Sequence, residues 1–287
     1  MNKLIIIAAI CAIAAIGAVA AVLLSAGDSD KEHSEKEFKD PYLLELKKGD
    51  YIEYSGDDHH LGIRISEVLE GGWYKLEAYD GDMTEDARLT MNRIQFLSNM
   101  YPHITTNWNL FNLPAVDESK YVGVSPIDFN GRTIECKVYG SSVYTFVGDY
   151  GIVYGQGDSP DSPDIVLKTS LLDGTKHGIA KDPFSKELKV GDYIEKGVIS
   201  VKYDENGFTG CLNKVDFMLA SCIFPLNSYG ESSGKKAISF NGKIIDCDLY
   251  DDGPYGYDYY VGDYGILYRS ISDTGTSNLR TNLDFSI

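Results

Sequence analysis

The chain has 287 residues, 43% of them hydrophobic, which supports buried cores over about two ordinary domains and argues against global disorder. Lys and Arg total 26 against 43 Asp and Glu, a net charge of −17. A surface of that sign repels phosphate backbones, so nucleic acid is not expected as a partner.

Residues 4–27 carry no charge and are mostly Ile, Ala, Val and Leu. A bilayer core needs roughly 20 apolar helical residues, so this run is long enough to span it. Lys3 precedes it, and Asp28, Asp30, Glu32, Glu35 and Glu37 come after it. That asymmetry predicts a single-pass anchor with the N-terminus inside and the bulk of the chain extracytoplasmic. Ala18-Val19-Ala20 also fits a signal-peptidase site. The apolar run continues past that site to Leu24, which favours a retained anchor. Residues 28–40 are too polar to pack and read as a stalk.

Beyond the stalk the chain is one unit written twice. Gly49-Asp50-Tyr51-Ile52-Glu53 returns as Gly191-Asp192-Tyr193-Ile194-Glu195, and Asn92-Arg93-Ile94-Gln95-Phe96 as Asn213-Lys214-Val215-Asp216-Phe217. Phe129-Asn130-Gly131-Arg132 with Cys136 returns as Phe240-Asn241-Gly242-Lys243 with Cys247. Val147-Gly148-Asp149-Tyr150-Gly151-Ile152 returns as Val261-Gly262-Asp263-Tyr264-Gly265-Ile266. Leu167-Lys168-Thr169 and Leu171 return as Leu279-Arg280-Thr281 and Leu283. The preserved order predicts unit one over 41–174, a linker over 175–184 and unit two over 185–287. The first copy is longer, with an additional hairpin expected from Gly62–Leu69 and Trp73–Tyr79 around Gly71-Gly72.

Each unit reads as antiparallel strands. Asn-Gly between alternating apolar residues is a strong two-residue hairpin signal, because both positions need positive φ. After it, Ile134, Cys136 and Val138 share one face, as do Ile245, Cys247 and Leu249. Gly-Asp-Tyr-Gly reads as a second tight turn preserved by the duplication. Leu89–Met100 and Leu212–Phe224 have mixed apolar spacing that leaves helix and strand open. The fold class is therefore mainly β: two tandem antiparallel units of small-barrel or curved-sheet type after an N-terminal transmembrane helix.

Four cysteines lie beyond the anchor: Cys136, Cys211, Cys222 and Cys247. In an exported region, the pairing that respects the repeat is Cys211 with Cys222, leaving Cys136 and Cys247 as buried thiols. No CxxC spacing is present, which disfavours structural zinc and thioredoxin-like chemistry. Asp57-Asp58-His59-His60 is the most metal-like cluster, yet adjacent strand residues point to opposite faces, so it reads as a solvated loop. Asp80 and Asp82 with Glu85 and Asp86 lack the ligand alternation of an EF-hand. Asp158, Asp161 and Asp164 mark an acidic surface loop. Tyr255, Tyr257, Tyr259 and Tyr260 could present a stacking face for a sugar or a protein, or could cover their own unit's core. No serine-nucleophile elbow, zinc-protease motif or phosphate loop occurs, and no cofactor is implied.

The apolar Ala/Ile-rich segment, the acidic stalk and the Asn-Gly…Cys…Gly-Asp-Tyr-Gly unit resemble membrane-anchored surface proteins that some archaea carry in multiple copies. That resemblance implies location rather than activity. The terminal meander is also similar to that of periplasmic lipoprotein carriers, which hold acyl chains in half-open sheets. The expectation is a non-catalytic module that binds an envelope protein or glycan. A carrier of a lipid or other apolar ligand is the alternative, and an extracytoplasmic hydrolase built on Asp57–His60 the weakest reading.

Overall fold

The computed structural model describes residues 40–57, 60–80, 83–103, 111, 113, 116–172, 177–223, 226–253 and 256–285. The expected anchor and nearly all of the stalk lie outside them. No helix among the described residues is long and apolar enough to cross a membrane.

The first copy opens with a meander of β1 (Tyr51–Ser55), β2 (His60–Val68), β3 (Trp73–Asp80) and β4 (Met83–Asn92). Asn92 ends β4 and caps α1 (Arg93–Leu97): its side chain accepts from the Gln95 amide, while the Gln95 side chain accepts from the Asn92 amide. This reciprocal box satisfies two otherwise orphaned donors. A second meander comes next, β5 (Tyr121–Phe129), β6 (Arg132–Gly140), β7 (Tyr144–Val147), β8 (Val153–Gly157) and β9 (Ile165–Thr169). Because β9 pairs with both β8 and β1, the two meanders merge into one antiparallel sheet ordered β4-β3-β2-β1-β9-β8-β7-β6-β5.

The second copy repeats this path with β10 (Asp192–Lys196), β11 (Ile199–Asp204), β12 (Gly207–Thr209), α2 (Lys214–Leu219), β13 (Gly234–Phe240), β14 (Lys243–Gly253), β15 (Tyr257–Val261), β16 (Leu267–Ser272), β17 (Gly275–Asn278) and β18 (Arg280–Thr281). Its sheets run β12-β11-β10-β18 and β13-β14-β15-β16-β17. Strands β17 and β18, separated only by Leu279, together occupy the place of β9. None of the described sheets closes on itself, so the barrel option does not hold.

The turn chemistry is as expected. Asn130 and Gly131 have φ 53° and 76°, Asn241 and Gly242 φ 47° and 78°, and each pair joins two antiparallel strands. Ile134, Cys136 and Val138 are buried while Thr133, Glu135 and Lys137 are exposed. Of the segments left open between helix and strand, Leu89–Met100 holds both, since β4 runs directly into α1, whereas Leu212–Phe224 forms only the short α2. The Gly71-Gly72 hairpin is present, but β11 and β12 are its abbreviated counterpart. What is added in the first copy is strand length and β4.

The described residues belong to one compact unit, Phe38–Ile287. One hydrophobic cluster runs through both copies, from Tyr42 and Ile52 through Phe146 and Phe184 to Phe217 and Phe285. The segment expected to be a linker is part of this body: Ile179 bridges to Leu44, and Glu45 N donates to Gly178 O at 2.8 Å.

Shared packing should make unfolding cooperative. Arg93→Met strands the buried Asp182 carboxylate, and a loss of about 3–5 kcal/mol is expected in urea titrations. Trp73 fluorescence in the first copy and amide exchange in β14 of the second should shift together, and Arg93→Met/Asp182→Leu should recover most of the loss. Separate transitions for the two copies would refute the shared core.

Candidate functional site

A buried charged pair lies at the seam between the copies. Arg93, at the first position of α1, is 1% exposed. Its Nε and Nη2 hold both carboxylate oxygens of Asp182, the latter at 2.7 Å, and Nη1 donates to Tyr42 O. Asp182 also accepts from the amides of Phe184 and Ser185, each at 3.1 Å, capping the short 3-10 turn Pro183–Ser185. Asp40 caps Pro41–Leu43 in the same way, with Tyr42 N at 3.0 Å. Lys214, the counterpart of Arg93, lies with its Nζ 4.1 Å from the Tyr42 ring centroid. Burial raises the Asp40 pKa, opposed by the Tyr42 amide and by the charges of Lys214 and Arg93.

The α1–α2 contact is likewise reciprocal. Gln95 Nε2 donates to Ile223 O at 2.6 Å, and Asn213 Nδ2 donates to Pro102 O at 2.6 Å. Each copy thus offers its N-terminal helix polar groups to the carbonyl that follows the other copy's helix. That is the pattern of an isologous two-fold interface, here within one chain. The seam's acidic caps had a legible signal. Asp40-Pro41-Tyr42 and Glu45-Leu46-Lys47 recur as Asp182-Pro183-Phe184 and Glu187-Leu188-Lys189, extending the first repeat block upstream.

The acidic and histidine clusters resolve into separate roles. In the repeated Gly-Asp-Tyr-Ile-Glu block, Asp50 accepts from Lys47 N at 2.7 Å and Ser170 Oγ at 2.9 Å, and lies 2.8 Å from His177 Nε2. Its twin Asp192 accepts from Lys189 N at 2.7 Å and Asn282 Nδ2 at 3.2 Å. These carboxylates are loop locks. Glu53 meets Tyr79 Oη at 3.1 Å, Lys168 Nζ at 3.7 Å and His60 Nδ1 at 3.7 Å. Burial and the Glu53 charge push the Tyr79 hydroxyl well above its ordinary pKa. Asp57 and His60 are exposed, Asp58 and His59 lie outside the described residues, and no metal-ligating group of three forms among those described. Asp80 is exposed; Asp82 and the side chains of Glu85 and Asp86 also lie outside them. In the acidic loop, Asp158 N donates to Asp164 Oδ2 at 2.7 Å.

Of the two readings of the tyrosines, the described ones fit cover of their own unit's core. Tyr259 is 7% exposed and stacks edge-on against Tyr229, with ring centroids 4.8 Å apart. Tyr257 is half-buried against the same small core, which includes Ile223, Tyr250, Val261 and Leu267. Tyr260 points to the main core and lies under Arg269, while Tyr255 is outside the described residues. Alternation along β15 places Tyr257 and Tyr259 together, but that face is covered by Tyr229.

The expected disulfide is also corrected: Cys136, Cys211, Cys222 and Cys247 are all free and buried. Cys211 precedes the cap of α2, and Cys222 follows its end. Cys211 Sγ donates to Thr209 O at 3.9 Å, and Cys222 Sγ to Met218 O at 3.6 Å. Cys222 Sγ instead receives Asn92 Nδ2 at 3.4 Å, another contact across the seam. Burial pushes the thiols up, to about 12 for Cys136, Cys211 and Cys247 and about 11 for Cys222.

An open pocket lies at the ends of β1, β2, β3 and β9. It is lined by Tyr54, Leu61, Phe111 and Ile165, with Asp80 at the same site, and has a volume of about 220 Å³. The Tyr54 and Phe111 rings are 5.2 Å apart and tilted by 59°. Tyr54 Oη is tied to Val153 O at 2.7 Å, which fixes the ring as a wall. The second copy has Lys196 where the first has Tyr54, and Lys196 Nζ donates to Cys222 O at 2.8 Å. Burial lowers the Lys196 pKa to about 8.

Both Gly-Asp-Tyr-Gly turns hold tyrosine in the left-handed region, Tyr150 and Tyr264 each at φ 60°. Such a residue costs on the order of 1–3 kcal/mol.

No protein-family model matches the chain, and no curated protein is significantly similar to it.

The thiol geometry has a direct readout. At pH 8 thiols with pKa about 11 to 12 are thiolate on the order of one part in 1,000 to 10,000, so native labelling by maleimide should be very slow at these four positions. Denaturation without reductant should expose all four. A Cys211–Cys222 peptide surviving non-reducing digestion would refute the free-thiol assignment.

Proposed function

We propose that the chain is a membrane-anchored, extracytoplasmic and non-catalytic binding module, which takes an apolar side chain of a neighbouring envelope protein into the Tyr54–Phe111 pocket. The pocket carries this reading. Its described walls are the Tyr54 ring, held through its hydroxyl, the Phe111 ring and two aliphatic side chains, with one carboxylate among the described lining residues, Asp80, to orient a polar or cationic neighbour of the inserted group.

Size separates this reading from a lipid carrier. Drug-sized ligands occupy pockets of roughly 300–1,000 Å³, and a cavity of about 150 Å³ accommodates benzene. At about 220 Å³, the pocket suits one ring or a short branched alkyl group better than an acyl chain. The anchor rests on residues 4–27 and the asymmetric charges around them.

Methyl NMR of the full-length chain in nanodiscs, titrated with indole and separately with decanoate, tests the pocket. Indole should shift the Leu61 and Ile165 methyls saturably, and Ile165→Phe, which fills the space, should weaken binding at least ten-fold. Tighter binding of decanoate at the same methyls would favour the carrier. No response to either probe would remove the pocket from consideration.

A further inference from the structure

We infer that, on the reading that the Tyr54–Phe111 pocket is a binding site, it receives the first residue of a partner protein with a free N-terminus. The apolar side chain of that residue lies against the two rings, and its α-ammonium meets Asp80.

Charge selects the sign of the partner. Within two positions along the chain of Tyr54, Leu61, Asp80, Phe111 and Ile165 stand Glu53, Asp82 and Asp164, and no Lys or Arg. Glu53 is already met by Lys168, His60 and the Tyr79 hydroxyl. Asp164 Oδ2 takes the Asp158 amide. Asp80 is exposed at the end of β3, and no basic side chain among the described residues pairs with it. A carboxylate without a counter-ion at the mouth of an apolar cleft attracts cations and repels carboxylic acids.

Size fixes where the cation sits. The two rings, Leu61, Ile165 and Asp80 share one cavity of about 220 Å³, which holds a single ring or a short branched alkyl group. The cation therefore belongs to the same residue as the apolar group. A neighbouring Lys or Arg would carry its charge at the end of a long flexible stem that the cavity has no room to fold back. An α-ammonium is bonded to the carbon that bears the side chain, so one residue supplies both groups. Within a chain the same nitrogen is an uncharged amide, and an internal Leu or Phe would fill the apolar part while leaving Asp80 without a counter-ion.

The second copy does not repeat the site. By the repeat, Lys196 stands at the position of Tyr54 and Ser277 at that of Ile165. An aromatic wall and an aliphatic one are thus replaced by an amine and a hydroxyl. The Lys196 Nζ, turned inward onto Cys222 O at 2.8 Å, is a cation at neutral pH and repels an ammonium. One chain should therefore bind one N-terminus.

The test uses the full-length chain in nanodiscs and reads the Leu61 and Ile165 methyls. The probes are the tripeptide Leu-Gly-Gly amide and its N-acetyl form, which has the same side chain and no cation. At about pH 6.5 the free peptide should bind about five-fold tighter, the yield of one partly exposed ion pair. That advantage should vanish by about pH 9, as the α-amino group, with a pKa of about 8, loses its proton. The acetylated peptide should bind alike at both. Asp80→Asn should abolish the advantage while leaving indole affinity within about two-fold, which also verifies that the variant folds. Equal affinity of the two peptides with indole still bound would overturn the N-terminal assignment and leave the pocket as a binding site. No response to indole or to either peptide would remove both. Tighter binding of free leucine than of the tripeptide would also overturn the assignment, by giving the site to an amino acid rather than a protein.

Discussion

Arg93 and Asp182 form the contact on which the rest of the body depends: an arginine of the first copy, almost wholly removed from solvent, neutralised by an acid that caps the opening turn of the second. Removing two charges from water costs several kcal/mol each, so such a pair contributes little net stability unless its remaining donors and acceptors are satisfied. Here they are. The third guanidinium branch takes Tyr42 O, and the carboxylate takes two backbone amides besides the arginine. The gain is positional: the pair fixes how one copy is seated on the other, while the apolar cluster supplies the bulk of the burial.

The seam is only approximately symmetric. Where the first copy places Arg93 against Asp182, the second places Lys214 near Asp40 and the Tyr42 ring. Lysine cannot make the planar two-pronged contact, so one half of the interface is a geometric lock and the other a looser electrostatic one. The same relaxation recurs elsewhere. Tyr54 becomes Lys196, Ser170 becomes Asn282, and the long β2–β3–β4 meander becomes β11–β12. The copies keep the backbone path and differ in which side chains occupy its ends.

Legibility in the sequence tracked the range of the interactions involved. Asn-Gly turns, the alternation through Cys136 and Cys247, and the β2–β3 hairpin are local, and they appear as expected. The seam was not legible from its residues alone, because Arg93 and Asp182 lie far apart in sequence and neither signals burial. The upstream Asp-Pro-aromatic repeat marked one side of it. Tyr257 and Tyr259 share a face of β15, but its covering ring, Tyr229, comes from a loop with no strand period to place it. Cys211 and Cys222 stay apart as thiols because each sulfur is placed on other groups, Cys211 Sγ on Thr209 O and Cys222 Sγ on Met218 O and Asn92 Nδ2.

Fusing two such units in one chain changes what each can tolerate. A linked partner is present at an effective concentration that reaches millimolar for short connections, so the seam can form even if one of its two locks weakens. That freedom accounts for Lys214 in the place of Arg93. The Tyr264 turn is part of that assembly, through Gly72, Trp73 and Asn92. The Tyr150 turn keeps the same left-handed backbone, and a Cβ on its Gly151 would meet no described residue within 4 Å.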